Sequence, residues 1–268
     1  CRVVPMSSDN VSFPRRSAGF TSYWLGQNAS ITVSDVTLDQ VRLEAKKLAV
    51  YTTYSSELAE DAAYSLGDLF TQEFDYQCAY DLDNALFNGN GTSTYGQIVG
   101  LKSALAAGSL QTDGANDDTY GEVVQAELDS AMGLVKQFPG MRNKWYTHSS
   151  GFFNVMQRLA LAAGGSTAEN FQQGIGPTYA GYPVVFSQVL SAGVNTTDLS
   201  DIIWAFFGDL SMAATIGMKR GITVAQSEHI GFQSDQIAVR MTMRCDVNVH
   251  ERGTASAAGP IVGVKMGS

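Results

Sequence analysis

Leu58, Ala62, Leu66, Phe70, Phe74, Cys78, Leu82 and Leu86 place an apolar residue at every fourth position. A step of four overshoots a 3.6-residue turn by about 40°, so the apolar stripe winds most of the way round a helix. The spacing predicts one long helix over residues 54–86. Ser55 or Ser56 can cap it, and Glu57, Glu60 and Asp61 put negative charge in its first turn, where the helix dipole favours it. At about 1.5 Å per residue such a helix spans roughly 50 Å. A winding stripe cannot lie on one flat sheet, so different stretches must bury against different neighbours. Asn88-Gly-Asn-Gly follows. Its two glycines stand at phosphate-loop spacing, but they follow a helix and not a strand, so the segment reads as a helix-ending turn.

Elsewhere the period shifts to two. Val41, Leu43 and Ala45 alternate with Arg42, Glu44 and Lys46, the sign of a strand. Val239, Met241, Met243, Cys245, Val247 and Val249 alternate with Arg240, Thr242, Arg244, Asp246, Asn248 and His250, which predicts a strand with one buried face. Residues 122–135 and 151–163 have helical periodicity, while 144–147 and 183–186 read as strands. Residues 163–177 form a long loop of small and polar residues, a length that tends to be functional. Residues 1–18, with Pro5, Pro14, Arg15 and Arg16, read as an irregular arm. Residues 19–50 hold two extended runs around a polar stretch. A two-stranded ribbon is marginal alone in water, so it must lie on something, and a neighbouring subunit is the candidate. The fold class is therefore α+β, with a middle segment inserted between two halves of another domain.

At 268 residues and 44% hydrophobic, the chain can bury one or two cores. It contains no run of 18 apolar residues, so no transmembrane helix and no membrane partner are expected. The start, Cys1-Arg-Val-Val-Pro, lacks a signal-peptide pattern and a Met, and reads as mid-strand, so residues are expected before Cys1. Cys1, Cys78 and Cys245 have no metal spacing, and folding in a reducing cytoplasm is expected. The net charge of −9 argues against gripping nucleic acid by phosphate neutralisation.

No Walker loop, Gly-x-Ser-x-Gly, His-Glu-x-x-His or Cys-x-x-Cys is present. His148, His229 and His250 are scattered without ligand spacing, and Asp81 and Asp83 read as solvated helix residues. Asn28-Ala-Ser, Asn90-Gly-Thr and Asn195-Thr-Thr match glycosylation sequons, but without a secretory signal they read as chance matches. No catalytic residue, cofactor or metal is expected.

Ser56-Glu-Leu-Ala-Glu-Asp61 opening a long helix, closed by a Gly-rich turn and Gly96-Gln-Ile-Val-Gly-Leu101, resembles the spine helix of tailed-phage major capsid proteins of the Hong Kong 97 fold. The resemblance extends along nearly the whole chain. Arg2-Val-Val-Pro-Met6 resembles the end of the family's N-terminal arm. The run from Trp24 to Ile31 and Ser34-Asp-Val-Thr-Leu38 resemble its extended hairpin loop. Asn143-Lys-Trp-Tyr-Thr-His148, Gly181-Tyr-Pro-Val184 and Phe207-Gly-Asp-Leu210 resemble markers of its axial domain, and residues 239–249 its closing peripheral strand. The implied domains are an N-terminal arm (1–18), a hairpin loop (19–50), a peripheral domain with the spine (51–98), an axial domain (99–221) and the peripheral closing strands with the C-terminal segment (222–268).

The resemblance implies a structural subunit, not an enzyme, that assembles with itself as pentamers and hexamers of an icosahedral head. The head would enclose double-stranded DNA without sequence-specific binding. Portal, maturation protease and decoration proteins are the implied partners, the virion is the implied location, and the host cytoplasm is the implied site of assembly. Phe20, Tyr23, Trp24, Asp35, Gln40 and Asp235 are candidate inter-subunit contacts, since aromatic residues anchor interfaces. The family's type member bonds a hairpin lysine to an asparagine with help from a glutamate. The matching positions here are Gln40, Asp235 and Thr242. Gln40 has no nucleophilic amine, Asp235 offers a poor leaving group and Thr242 is no carboxylate base, so the resemblance implies the fold without the crosslink. An encapsulin shell shares that fold and stands as the alternative, with an enzyme of unrecognised site as a rival from another class.

Overall fold

Strand pairing, more than helix propensity, decides where the elements of this chain begin. The computed structural model describes residues 1–18, 20, 22–35, 37–61, 66–114, 117–162 and 177–268. Four strands form the first sheet in the order β1 (Arg2–Pro5), β10 (Ala214–Gly231), β11 (Gln236–Val249), β4 (Lys46–Ser55). β1 runs parallel to β10, and the other pairings are antiparallel. The β11–β4 register is unbroken from Gln236 opposite Ser55 to Cys245 opposite Lys46. This pairing holds Tyr54 and Ser55 in β4, so the helix starts later than its periodicity implies.

The helical residues are α1 (Ser56–Asp61) and α2 (Leu66–Asn88), and the intervening part of the expected spine lies outside the described residues. Ser55 Oγ accepts the Leu58 N–H at 3.3 Å and so caps α1. The winding stripe divides its burial as the spacing requires. Phe74 and Cys78 pack on Val239, Met241, Met243 and Cys245, one face of β11. Phe70 is half-buried against Tyr54, with ring centroids 5.4 Å apart. A turn or two later Ala85, Leu86 and Phe87 enter a different core, with Leu101, Ile203, Phe206, Leu210 and Ile261. Leu58, at the head of the stripe, is exposed.

That second core belongs to a six-stranded sheet. Its order is β5 (Leu110–Thr112), β12 (Ile261–Lys265), β9 (Ile203–Gly208), β6 (Lys144–Thr147), β8 (Tyr182–Phe186), β7 (Thr178–Tyr179). β9 is buried along its whole length. On its other side Trp145, Trp204 and Phe207 pack with Leu128 and Ala131 of the helix Gln125–Leu134. Helical structure at Ser149–Gly151, Phe152–Met156 and Gln157–Ala162 follows β6, the middle stretch with π geometry. The motifs around 144, 182 and 207 thus all stand on this sheet.

Three differences from the sequence expectation have physical reasons. Residues 1–18 are not irregular: β1 joins the first sheet, and β2 (Asn10–Ala18) pairs antiparallel with β3 (Thr37–Glu44). Pro14 disguised β2, but a two-stranded ribbon has only edges, where proline is tolerated. The strand expected from residue 222 begins at Ala214, because β1 lies along its first residues. Ile261–Lys265 pairs with β5 and β9, so the last strand sits in the six-stranded sheet and not with the closing strands 222–250. The long loop expected at 163–177 lies, apart from Pro177, outside the described residues.

The turn after α2 shows why its glycines are there. A Cβ on Gly100 would stand 2.5 Å from Ala85 O and 2.6 Å from Leu86 O, and one on Gly89 would stand 2.4 Å from Ala85 O. The Gly100 N–H donates to Gly89 O at 2.9 Å. Backbone crosses backbone here, so the segment is a packed helix end and not a phosphate cradle.

Phe74 is almost fully buried where α2 meets the first sheet. Phe74→Ala should cost about 3–5 kcal/mol, read as a clear fall in the thermal unfolding midpoint. An unchanged midpoint would place the buried face of α2 elsewhere.

Candidate functional site

β3 is tied down at one end and free at the other. Its alternating residues Val41 and Leu43 are buried, and Leu43 with Met6 fills the space over Gly217, where a Cβ would meet Met6 Sδ at 2.6 Å. The Glu44 N–H donates to Asp246 Oδ2 at 2.8 Å, and Asn248 Nδ2 donates to Arg42 O at 2.8 Å. The root of the ribbon therefore lies across the first sheet of its own subunit. Part of the expected hairpin, 41–50, belongs to the subunit's own structure.

Arg15 on β2 locks that root further. It donates to Asp39 Oδ2 from Nη2 at 2.8 Å, and through Nη1 to His250 O at 2.7 Å and Glu251 Oε1 at 3.2 Å. Arg15, helped by the Gln40 N–H, holds the Asp39 carboxyl below the usual carboxylate range. Burial pushes His250 below the usual histidine value, and nearby Arg15 and Arg2 push the same way against Glu251. No local spacing in the sequence joins residues 15, 39 and 251, so this network was not legible there.

Beyond the root the chain turns to solvent. Phe20 is 78% exposed, Trp24 is fully exposed, and Ile31 and Val33 are 83% and 81% exposed. Tyr23 and Asp35 are exposed as well. The Ala29 N–H bonds Gly26 O at 3.2 Å, and Asn28 adopts φ 66°, closing a tight turn. No strand is formed over the described residues of 20–35. These apolar side chains have no core in their own subunit.

The three positions matching the family's crosslink are not brought together. Gln40 is exposed on β3 opposite Pro14. Asp235 stands at the β10–β11 turn with φ 49°, where its backbone O takes the Ser56 N–H at 3.1 Å and its carboxylate accepts from the Ser56 hydroxyl. It ties the turn to the start of α1. Thr242 is buried in β11 and accepts from Arg220 Nη2 at 2.8 Å. Extended chain at about 3.3 Å per residue puts roughly 20 Å between Asp235 and Thr242.

Among the described residues no group of three or more His, Cys, Asp or Glu could hold a metal, and no helix is long and apolar enough to cross a membrane. Burial raises the Cys78 and Cys245 thiols to about 11 each, which keeps them protonated and unreactive. One buried acid stands out. Asp113 is 4% exposed, and neither carboxyl oxygen has a hydrogen-bond partner. Burial, then Glu127 and Asp117, push it up to about 8, and the Trp204 indole N–H, which faces the carboxyl without reaching hydrogen-bond geometry, offsets this only in part. Glu127 is itself engaged, accepting the Gly114 N–H at 2.9 Å and the Val124 N–H at 3.0 Å. No pattern in the sequence signals the burial of Asp113.

A spine helix bridging two sheets, the second of them six-stranded, and an unsupported hairpin loop define a shell-building fold. Residues 1–253 match the phage capsid family, and the chain belongs to that family. The curated major capsid protein of Klebsiella oxytoca phage phiKO2 is 24% identical over 228 residues, covering 81% of this chain and 50% of that protein. The chain thus spans about half the length of that relative. Among solved structures, the capsid of a native GTA particle computed with C5 symmetry superposes with TM-score 0.77 at 15% identity, covering 100% of this chain and 88% of that one. A Mycobacterium phage Bobi structure gives 0.71 at 18% identity, with the same coverage. The fold is the Hong Kong 97 capsid fold.

Asp113 generates a pH prediction. Its carboxyl takes up a proton on folding, from an unfolded value near 4 to about 8. Its stabilisation is full below the unfolded value and is lost as pH rises towards 8. Asp113→Asn should flatten that part of the stability profile, leaving the variant more stable than wild type at pH 9. Parallel profiles from pH 4 to 9 would show that Asp113 is ionised throughout.

Proposed function

We propose that this chain is the major capsid subunit of a tailed double-stranded DNA phage, tiling an icosahedral head as pentamers and hexamers. The observation that carries this reading is the loop 20–35. It sends Phe20, Tyr23, Trp24, Ile31 and Val33 into solvent from a root fixed by Arg15 and the buried Leu43. A contact between this loop and a different surface of the next copy is head-to-tail, and such contacts close into rings when the rotation allows. The family membership, the relative named a major capsid protein and the fold of a capsid solved with C5 symmetry support the same reading.

The mechanism is geometric and needs no catalysis. The first sheet and the spine form the plate of the tile, the six-stranded domain points towards the symmetry axes, and the loop laps onto the neighbour. Gln40, Asp235 and Thr242 supply none of the chemistry of a covalent lock, so the shell is held by non-covalent contacts. A net charge of −9 suits a lining that contains DNA without gripping it. Portal, maturation protease and decoration proteins are the partners such a head uses, with assembly in the host cytoplasm and residence in the virion.

Trp24→Ser, or replacement of residues 28–37 by a tight turn, should leave the subunit folded, because its apolar cores lie elsewhere. Assembly should fail or give fragile particles. Circular dichroism and sedimentation velocity on the same samples read the two effects. Loss of folded signal would place the loop in the subunit's own core, and normal particles would show that the lapping contact is dispensable.

A further inference from the structure

The first sheet leaves one long edge open. β1 accompanies β10 only from Thr215 to Met218, and after Met6 the chain turns away, with Asp9 paired to Lys219 and Arg244. Beyond that point β10 is paired on one side alone, by β11. Bulges interrupt the pairing on either side of Thr223–Ser227, but within those five residues the register is regular. The stretch reads Thr-Val-Ala-Gln-Ser, without charge, and Val224 is half exposed. Natural edges of this kind are blunted by a charge, a proline or a cover. Bulges flank this stretch, and none of the other three lies within it.

The hairpin loop carries a matching segment. Ser30-Ile-Thr-Val33 holds three consecutive β-branched residues, a composition that favours a strand. Among the described residues, no backbone hydrogen bond joins 30–33 to the rest of the chain. Within one molecule, residues 30–33 and the free side of Thr223–Ser227 do not pair with each other. On this basis, and resting on the reading of the chain as a shell subunit, we infer that residues 30–33 of one copy add as a strand to the β10 edge, Thr223–Ser227, of a neighbouring copy.

Side-chain period and charge fix the register. Val224 lies beside Met241, which lies beside Val50, giving a row on the face that packs against the spine. An antiparallel strand with Val33 opposite Val224 extends that row by one residue and sets Thr32 opposite Ala225 and Ile31 opposite Gln226. A shift of one residue would turn Ile31 and Val33 to the other face. The same antiparallel direction carries Asp35 towards Arg220, whose guanidinium donates to Thr242 on the neighbouring strand. A parallel strand would carry Asp35 towards Glu228. Main-chain bonds supply the affinity and the alternate side chains the register, as in other strand-addition contacts.

The test is disulfide trapping in assembled particles of the full protein, in a Cys1→Ser background. Directly opposed residues stand about 4.5–5.5 Å apart at Cβ, so the pairs Thr32→Cys with Ala225→Cys, and Val33→Cys with Val224→Cys, should oxidise between copies with diamide. The expected result is a ladder of covalent oligomers on a non-reducing gel that collapses to single chains on reduction. Each single-cysteine variant, and the wild type, should give single chains. Val33→Cys with Ser227→Cys, three residues out of register, should give at least tenfold less ladder. Particles that form without a ladder, or crosslinks confined within single chains, would overturn the strand pairing and leave the shell reading intact. If the wild-type chain builds no particles at all, the shell reading falls and the pairing with it.

Discussion

Everything in this subunit hangs on α2, one helix whose middle and end enter the cores of two sheets. Phe74 and Cys78 belong to the first sheet, and about two turns later Leu86 and Phe87 belong to the core beneath the six-stranded sheet. Val247 and Val249, at the end of β11, reach that second core as well. The glycines at 89 and 100 let the chain cross the helix end at backbone contact distance. A side chain at either position would push the turn off the helix end.

That junction explains why the loop is the part left free. Both sheets are held by packed apolar cores around one helix, and the root of the ribbon is held by Leu43, Asp246 and the Arg15 network. The long edge of β10 and the β-branched run 30–33 are then the segments that lack what their own chemistry calls for. Strand formers without a ladder, and a ladder without a strand, are costs within one molecule that the proposed strand addition removes. Assembly follows from what folding leaves unpaired.

Much of the fold was legible because burial and periodicity agree. The four-residue stripe marked α2, the period-two alternation marked β11, and the short apolar runs at 144–147 and 183–186 marked two strands of the six-stranded sheet. What was hidden depends on pairing across long sequence distances. β1 lies parallel to a strand more than 200 residues away, and Ile261–Lys265 inserts between β5 and β9, neither of which a short apolar run can announce. Tyr54 satisfies a helical stripe and a strand register equally, and the ladder with Ile237 decides it. Of the contact candidates, the exposed aromatics Phe20, Tyr23 and Trp24 were visible as a cluster. Ile31 and Val33 were visible only as residue types, because their meaning depends on the open β10 edge.

The central claim is that the subunit is a finished body with one unfinished segment, completed by its neighbour. Amide hydrogen exchange on unassembled subunits and on assembled particles reads this directly. The account predicts that residues 74–88 are protected in both states, whereas residues 22–35 exchange freely in the subunit and become protected in the particle. Equal exchange of 22–35 in the two states would contradict it.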